Sequence, residues 1–327
     1  MRPTTDVPAD HAIHGPGIKI DSALVTGATG HIGSALVRRL AADGVRVTAL
    51  VRKNSRARSR LPADPRVFPM EIDSSDPRAF RQAVENAPHD VVFNLASAGV
   101  NPADREPLAM LDGNVGLLAS LLAASEKTRP RRFIHTGSCS EYASAEIGRR
   151  IDETFPVEPS SLYGAAKLCA SLYGAALAAE RGLSFLNLRL FGVFGVGEAP
   201  HRVVPYLIAR LRENQPVDLT PGGQIRDWLY VDDVVDALLE AATCPHLPAS
   251  GIFNVCSGHG IAVRELAEQV ADTMQKPRDL LRFGVRPYRP DETIWVVGDN
   301  RRFTETTAWR PRVPIAEGIR RMLAASS

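Results

Sequence analysis

Residues 23–33 read ALVTGATGHIG, a short apolar run that enters a glycine-rich turn and then continues into an Ala/Leu/Val/Arg helix pattern to about Asp43. Gly27, Gly30 and Gly33 have the spacing GxxGxxG. The first glycine suits a tight turn, the second lets backbone approach a phosphate, and the third allows close packing of helix on strand. The helix start then offers free amides and a positive dipole end to a pyrophosphate. Strand, turn and helix in this order open a Rossmann-type unit, and a dinucleotide is the ligand they imply.

Working outward, a second strand, Val45 to Val51, ends at Arg52 and Lys53, with Arg56, Arg58 and Arg60 close behind. An acid at this point would bind the ribose 2′-hydroxyl of NAD, whereas an arginine accommodates the 2′-phosphate of NADP. No acid stands here, so Arg52 is the expected phosphate contact and NADP(H) the expected cofactor, with NAD(H) possible. A third strand, Val67 to Ile72, leads to Asp73 and a helix near Pro77 to Asn86. A fourth, Val91 to Leu95, leads to Ala96 and Ser97. A long helix from Leu108 to Ser125 carries Asn114, and a fifth strand, Phe133 to Thr136, runs into GSCSEY. Near-continuously apolar strands alternating with helices argue an α/β fold, a doubly wound parallel sheet covered on both faces. Its ligand site lies at the carboxyl ends of the strands.

A sixth strand, Phe185 to Leu190, is followed by FGVFGVGEAP, where glycine and proline break the pattern. Pro205 to Asn214 reads as a helix, and Asp232 or Asp233 as the N-cap of another ending near Ala242. Ile252 to Val255 reads as a strand, and Val263 to Met274 and Ile315 to Leu323 as helices. The expected organisation is a flexible tail at 1–19 and a dinucleotide-binding domain at 20–190 with return segments near 228–256. A smaller mixed α/β substrate region then occupies most of 191–327.

With 327 residues and 44% apolar content the chain can bury a large core. A net charge of +2 gives no reason to expect nucleic acid or a membrane as partner. Cys139, Cys169, Cys244 and Cys256 form no CxxC pair and no metal-spaced cluster, so no metal is expected and a reduced, cytoplasmic setting is. No segment approaches a membrane span of roughly 18 consecutive apolar residues, and the first nineteen lack the apolar core of a signal peptide.

Residues 161–167, SLYGAAK, enter an alanine-rich helix. Tyr163 and Lys167 are four apart and share a helix face. An ammonium beside a phenol favours the phenolate and eases proton movement from a group whose ordinary pKa is about 10. Lysine occurs only at 19, 53, 127, 167 and 276, so no other tyrosine has this partner. The spacing alone also fits a tyrosine at the core edge with a snorkelling lysine.

Taken in order, the glycine turn, NLAS at 94–97, GSCSEY at 137–142 and YGAAK at 163–167 make the chain resemble the extended short-chain dehydrogenase/reductase superfamily. Within it the likeness is to the branch of epimerases, dehydratases and ketoreductases that act on nucleotide-diphosphate sugars. LRLFGVFGVGE, GGQIRDWLYVDDVVDA, IFNVCSGHGIAVRELAE and WRPRVPIAEGI carry it over about Ala23 to Leu323. The resemblance implies Tyr163 as catalytic acid/base, Lys167 as the residue that lowers its pKa and holds the nicotinamide ribose, and Ser138 as the hydroxyl on the reacting sugar oxygen. It implies a cofactor lined by Gly27, Gly30, His31, Ile32, Gly33, Asp73, Ala96, Asn114 and Thr136. Arg226 and Arg289 would take the substrate pyrophosphate, whose oxygens suit guanidinium forks.

Two departures narrow the chemistry. Sugar 4,6-dehydratases carry an adjacent Asp-Glu pair directly after the catalytic Ser/Thr; here Cys139 and Ser140 stand there, and neither replaces a carboxylic acid. Cys139 is not the expected nucleophile of this chemistry. Gly192 stands where many relatives have Asn against the diphosphate. The expected reaction is NADPH-dependent reduction of a nucleotide-linked 4-keto-6-deoxy sugar. An NAD-retaining epimerase is the alternative, and a non-catalytic dinucleotide-binding sensor a remoter one. Two long helices, Leu108 to Ser125 and Ser161 to Arg181, are the expected homodimer face.

Overall fold

The computed structural model describes residues 17–73, 77–86, 89–101, 104–289 and 292–325, so residues 1–16 of the expected tail lie outside it. In chain order the strands are β1 (Ser22–Thr26), β2 (Arg46–Arg52), β3 (Val67–Ile72), β4 (Val91–Asn94), β5 (Arg132–Ser138), β6 (Phe185–Leu190) and β7 (Gly192–Phe194). They continue with β8 (Val217–Leu219), β9 (Ile225–Tyr230), β10 (Ser250–Val255), β11 (Gly260–Ala262), β12 (Leu281–Phe283) and β13 (Trp295–Val296). The α-helices are α1 (His31–Ala42), α2 (Pro77–Glu85), α3 (Pro107–Leu111), α4 (Leu117–Thr128), α5 (Leu162–Glu180) and α6 (Val203–Arg212). Four more follow: α7 (Val231–Thr243), α8 (Val263–Thr273), α9 (Arg301–Thr306) and α10 (Ile315–Ala325).

Seven parallel strands form the central sheet in the order β10-β6-β5-β4-β1-β2-β3. Every residue of β4, β5 and β6 is buried, as a sheet covered on both faces requires. Alternate residues of β1 feed opposite cores: Ala23 and Val25 pack on one side with α1 and α7, Leu24 on the other with α4 and α5. The direction of winding reverses between β1 and β4, the switch point where ligands bind in such sheets. Beyond residue 191 the chain gives β10 to the sheet edge beside β6, and builds a smaller sheet from β7, β9, β11 and β13 and a β8–β12 ribbon.

Three local expectations are corrected. The single helix expected from Leu108 to Ser125 is interrupted by a π-helical turn at Asp112–Gly116. There the Asn114 side-chain amide donates to the Met110 carbonyl at 2.7 Å, taking a partner that regular helix would give to backbone. Tyr230, not Asp232 or Asp233, is the N-cap of α7, with no side-chain cap. Asp233 instead accepts the amides of Arg312 and Val313, both at 3.0 Å, and so pins the chain that leads to α10. Finally, residues 107–128 and 162–180 are long and apolar enough to cross a membrane by composition, yet they bury Leu118, Leu121, Leu122, Ala170 and Ala178 in the sheet core.

Candidate active site

The turn after β1 is built for close approach. Gly27 has φ +64°, and a Cβ there would lie 2.8 Å from the Ala96 amide nitrogen. A Cβ on Gly33 would sit 2.0 Å from the Gly27 carbonyl oxygen, so α1 presses on the turn only because that position is bare. With the amide end of α1 beside a backbone cradle that side chains would fill, these residues fit a dinucleotide pyrophosphate. Ile32 packs on the core. Burial, aided by Arg202, Arg60 and Arg38, lowers the His31 pKa to about 4, against the opposing pull of the nearby Gly195 backbone. Positive charge at this end therefore comes from arginines. Glu198 lies nearby on the same loop as Gly195, and burial raises its carboxyl to about 7 against the pull of Arg202.

The strand ends deliver the other expected cofactor positions. Arg52 is the exposed last residue of β2, and Asp73 is exposed just after β3. Below them the Ala96 amide donates to Thr26 Oγ1 (3.1 Å), which donates to Asn94 Oδ1 (2.7 Å). Asn94 in turn meets His135 Nδ1 at 3.1 Å. Thr136 donates its hydroxyl to the Asn94 carbonyl and gives its own carbonyl to Lys167 Nζ at 2.6 Å.

Helix α5 begins at an N-cap, Ser161, whose hydroxyl accepts the Gly164 amide at 3.1 Å. Gly164 has no room for a side chain, since a Cβ would be 2.1 Å from the Ser140 carbonyl oxygen. The helix is thereby docked on the 138–141 turn, which sets the Tyr163 hydroxyl beside the Ser138 and Ser97 hydroxyls, both of which favour its phenolate. The Ser138 oxygen accepts the Ser140 amide at 3.1 Å. Lys167 is buried one turn below, and burial lowers its pKa to about 8, opposed by Glu141. The expectation of a lowered phenol pKa is not met here: burial is the largest influence on Tyr163 and raises it, the Ser97 and Ser138 hydroxyls pulling the other way.

On the substrate side, the Arg226 fork lies near Cys139 and pairs with Glu292 Oε1 at 2.6 Å, joining the RDW run to the RPDE run. Arg289 is exposed three residues before Glu292. Burial raises the Cys139 thiol to about 11, so it is neutral at physiological pH. Gly192 cannot carry the asparagine of its relatives, because its Cβ would lie 2.5 Å from the Asp227 carbonyl oxygen.

Four residues that contribute to the site were not found in the sequence. Ser97 donates to Asn114 Oδ1 at 3.0 Å and so links the π-helical turn to Tyr163. Buried Asp227 accepts the amides of Ser257, Gly258 and Gly298 and ties β9 to the loops after β10 and β13. Glu141 and Arg189 form an ion pair at 2.8 Å beneath Ser138. The spacing Ser138–Glu141 is a capping-box signature that could have revealed the glutamate; Asp227 and Arg189 carry no local signal.

A glycine turn at the switch point and a Ser/Tyr/Lys set at the ends of β5 and α5 define an extended short-chain dehydrogenase/reductase. The chain belongs to the NAD dependent epimerase/dehydratase family, whose sequence profile matches residues 23–256. It is 29% identical over 314 residues to the dTDP-6-deoxy-L-talose 4-dehydrogenase (NAD(P)(+)) of Kitasatospora kifunensis, covering 93% of this chain and 95% of that one. Identity to the UDP-glucose 4-epimerase of Mycolicibacterium smegmatis is 31% over 306 residues, covering 90% and 95%. The structure of UDP-glucose 4-epimerase from Thermotoga maritima, determined with UDP-glucose, superposes with a TM-score of 0.85 at 26% identity, covering 93% of this chain and 98% of that one.

Proposed function

We propose that this chain catalyses NADPH-dependent reduction of a nucleotide-diphosphate-linked 4-keto-6-deoxy sugar at the keto carbon. The observation that carries the reading is the Tyr163 hydroxyl held against Ser138 above buried Lys167, in a site where neutral Cys139 and Ser140 occupy the places of a dehydratase's acids. When bound, the nicotinamide supplies the hydride. The Ser138 hydroxyl would hydrogen-bond to the carbonyl oxygen and keep its proton, Tyr163 would give the one proton the developing alkoxide takes, and the Lys167 cation would favour the phenolate left behind. Arg226, exchanging Glu292 for phosphate oxygens, and Arg289 would hold the diphosphate; Arg52 would hold the cofactor's 2′-phosphate. Relatives named as a dTDP-6-deoxy-L-talose 4-dehydrogenase (NAD(P)(+)) and a GDP-6-deoxy-D-mannose reductase support hydride chemistry on a nucleotide-linked 6-deoxy sugar.

The likeness to UDP-glucose 4-epimerase favours a second reading, in which NAD is retained and the hydride returns to the same substrate. The assay that separates them follows NADPH absorbance with a nucleotide-linked 4-keto-6-deoxy sugar. Consumption is expected, falling by about 10²–10⁴-fold in Tyr163→Phe, where the general acid is lost. Inversion of a nucleotide sugar with no NADPH consumed would establish the epimerase. Binding of NADPH without turnover of any nucleotide sugar would make the chain a dinucleotide sensor.

A further inference from the structure

The turn that carries Ser138 is held from below by an ion pair with no access to water. Glu141 is fully buried, and its Oε1 accepts the Ser138 amide at 2.8 Å. Its other oxygen accepts Arg189 Nε at 2.8 Å, from β6, the strand beside β5. The Arg189 guanidinium lies 4.4 Å over the Tyr142 ring, and the Tyr142 hydroxyl donates to Asn254 Oδ1 on β10 at 2.7 Å. Gly137 completes the packing: a Cβ there would be 2.6 Å from Glu141 Oε1 and 3.0 Å from Arg189 Cγ. The reacting hydroxyl is thus referenced through Glu141, Arg189, Tyr142 and Asn254 to two neighbouring strands. Stability does not explain this arrangement, since apolar side chains of similar volume often replace a buried ion pair without loss.

We propose that Glu141, braced by Arg189, is a positioning residue that fixes the Ser138 hydroxyl relative to Tyr163 for proton transfer. The inference rests on Ser138, Tyr163 and Lys167 being the reacting set, whichever net reaction the site performs. Glu141 is also a buried negative charge that, after burial itself, acts on Lys167, Tyr163 and Cys139 and raises the pKa of each, at Cys139 behind buried Asp227. Its removal therefore has an electrostatic signature that a purely structural brace lacks.

The test compares wild type with Glu141→Gln, which keeps an acceptor but leaves Arg189 uncompensated, and with Glu141→Gln/Arg189→Met, which removes both charges should the single variant not fold. Both are expected to lower kcat by about 10- to 100-fold, the loss expected from misplacing a reacting group, with KM for cofactor and sugar near wild type. In Glu141→Gln the alkaline limb of the pH–rate profile moves to lower pH; in the double variant the limb returns while kcat stays low. An independent readout is peptide-resolved alkylation of Cys139 by iodoacetamide against pH on the NADPH-loaded protein, whose onset moves to lower pH in Glu141→Gln. A folded variant with wild-type kcat and an unmoved Cys139 profile overturns the proposal, as does a loss confined to KM. Should wild type consume no NADPH but invert a nucleotide sugar, the reductase reading fails alone, and the same kcat and KM comparison on that inversion decides the role of Glu141.

Discussion

Lys167 shows at the scale of one residue how burial and function pull against each other. It is 1% exposed, donates to the Thr136 carbonyl, and has a pKa lowered to about 8 chiefly by burial. In the unfolded chain the same amine titrates near 10.4. Between these values the unfolded state carries more protons than the folded one, so this group's contribution to the free energy of unfolding rises with pH across that window. Activity has the opposite sign. Reduction needs a protonated Tyr163, already raised by burial, above a charged Lys167, so kcat for reduction is expected to fall as pH climbs through about 8 while denaturant stability does not. Parallel pH series of kcat and urea midpoint check this; a reduction rate flat to pH 10 would remove Lys167 charge from the mechanism. Ser97 acts on the same phenol from the other side, and its Asn114 partner shows why it is more than a loop hydroxyl.

Among the elements, the β1–α1 turn carries the tightest steric argument. Ala at Gly33 must push its Cβ away from the Gly27 carbonyl, now 2.0 Å from that position, by moving α1 and with it the amides that face the pyrophosphate. Gly33→Ala is expected to cost about 1–3 kcal/mol of overpacking strain. It should also weaken dinucleotide binding beyond that loss, read as unfolding curves with and without NADPH; an unchanged ligand-induced increment would show that the turn tolerates the shift. This turn was legible in the sequence because glycine spacing, strand and helix lie within one local stretch, and the parallel sheet was legible because most of its strands are near-continuously apolar and alternate with helices. The π-helical turn was not, since hydrophobic periodicity over 108–125 is continuous and only the Asn114 bond to Met110 marks the extra residue. Arg189 was hidden for a different reason: its partner lies 48 residues away, so the charge in LNLRL reads locally as an anomaly.

For the whole molecule, the unspent surface feature is a stripe of apolar side chains on the helix layer that carries the site. On α5, Leu162, Cys169, Leu172, Tyr173 and Ala176 are exposed at spacings that keep them largely on one face, while Gly164, Lys167, Ala170, Gly174 and Ala178 face inward. Leu108 and Leu111 on α3, which contacts α5, extend the exposed apolar surface, Leu108 at 69% exposure. Such continuity is uncommon on a monomer's surface, and a second copy of the chain, packing helix pair on helix pair, is the partner proposed for it. Because α5 holds Tyr163 and Lys167 on its inner face, the same contact would stiffen the helix that positions the acid. Sedimentation equilibrium is expected to give twice the chain mass. Leu172→Arg with Tyr173→Glu should return it to one chain with an unchanged far-ultraviolet spectrum, and reduce kcat more than it changes dinucleotide affinity, since the glycine turn lies across the sheet from this face. A wild-type chain that sediments as a monomer at micromolar concentration, or a charged variant that still dimerises, would show that the stripe serves another purpose.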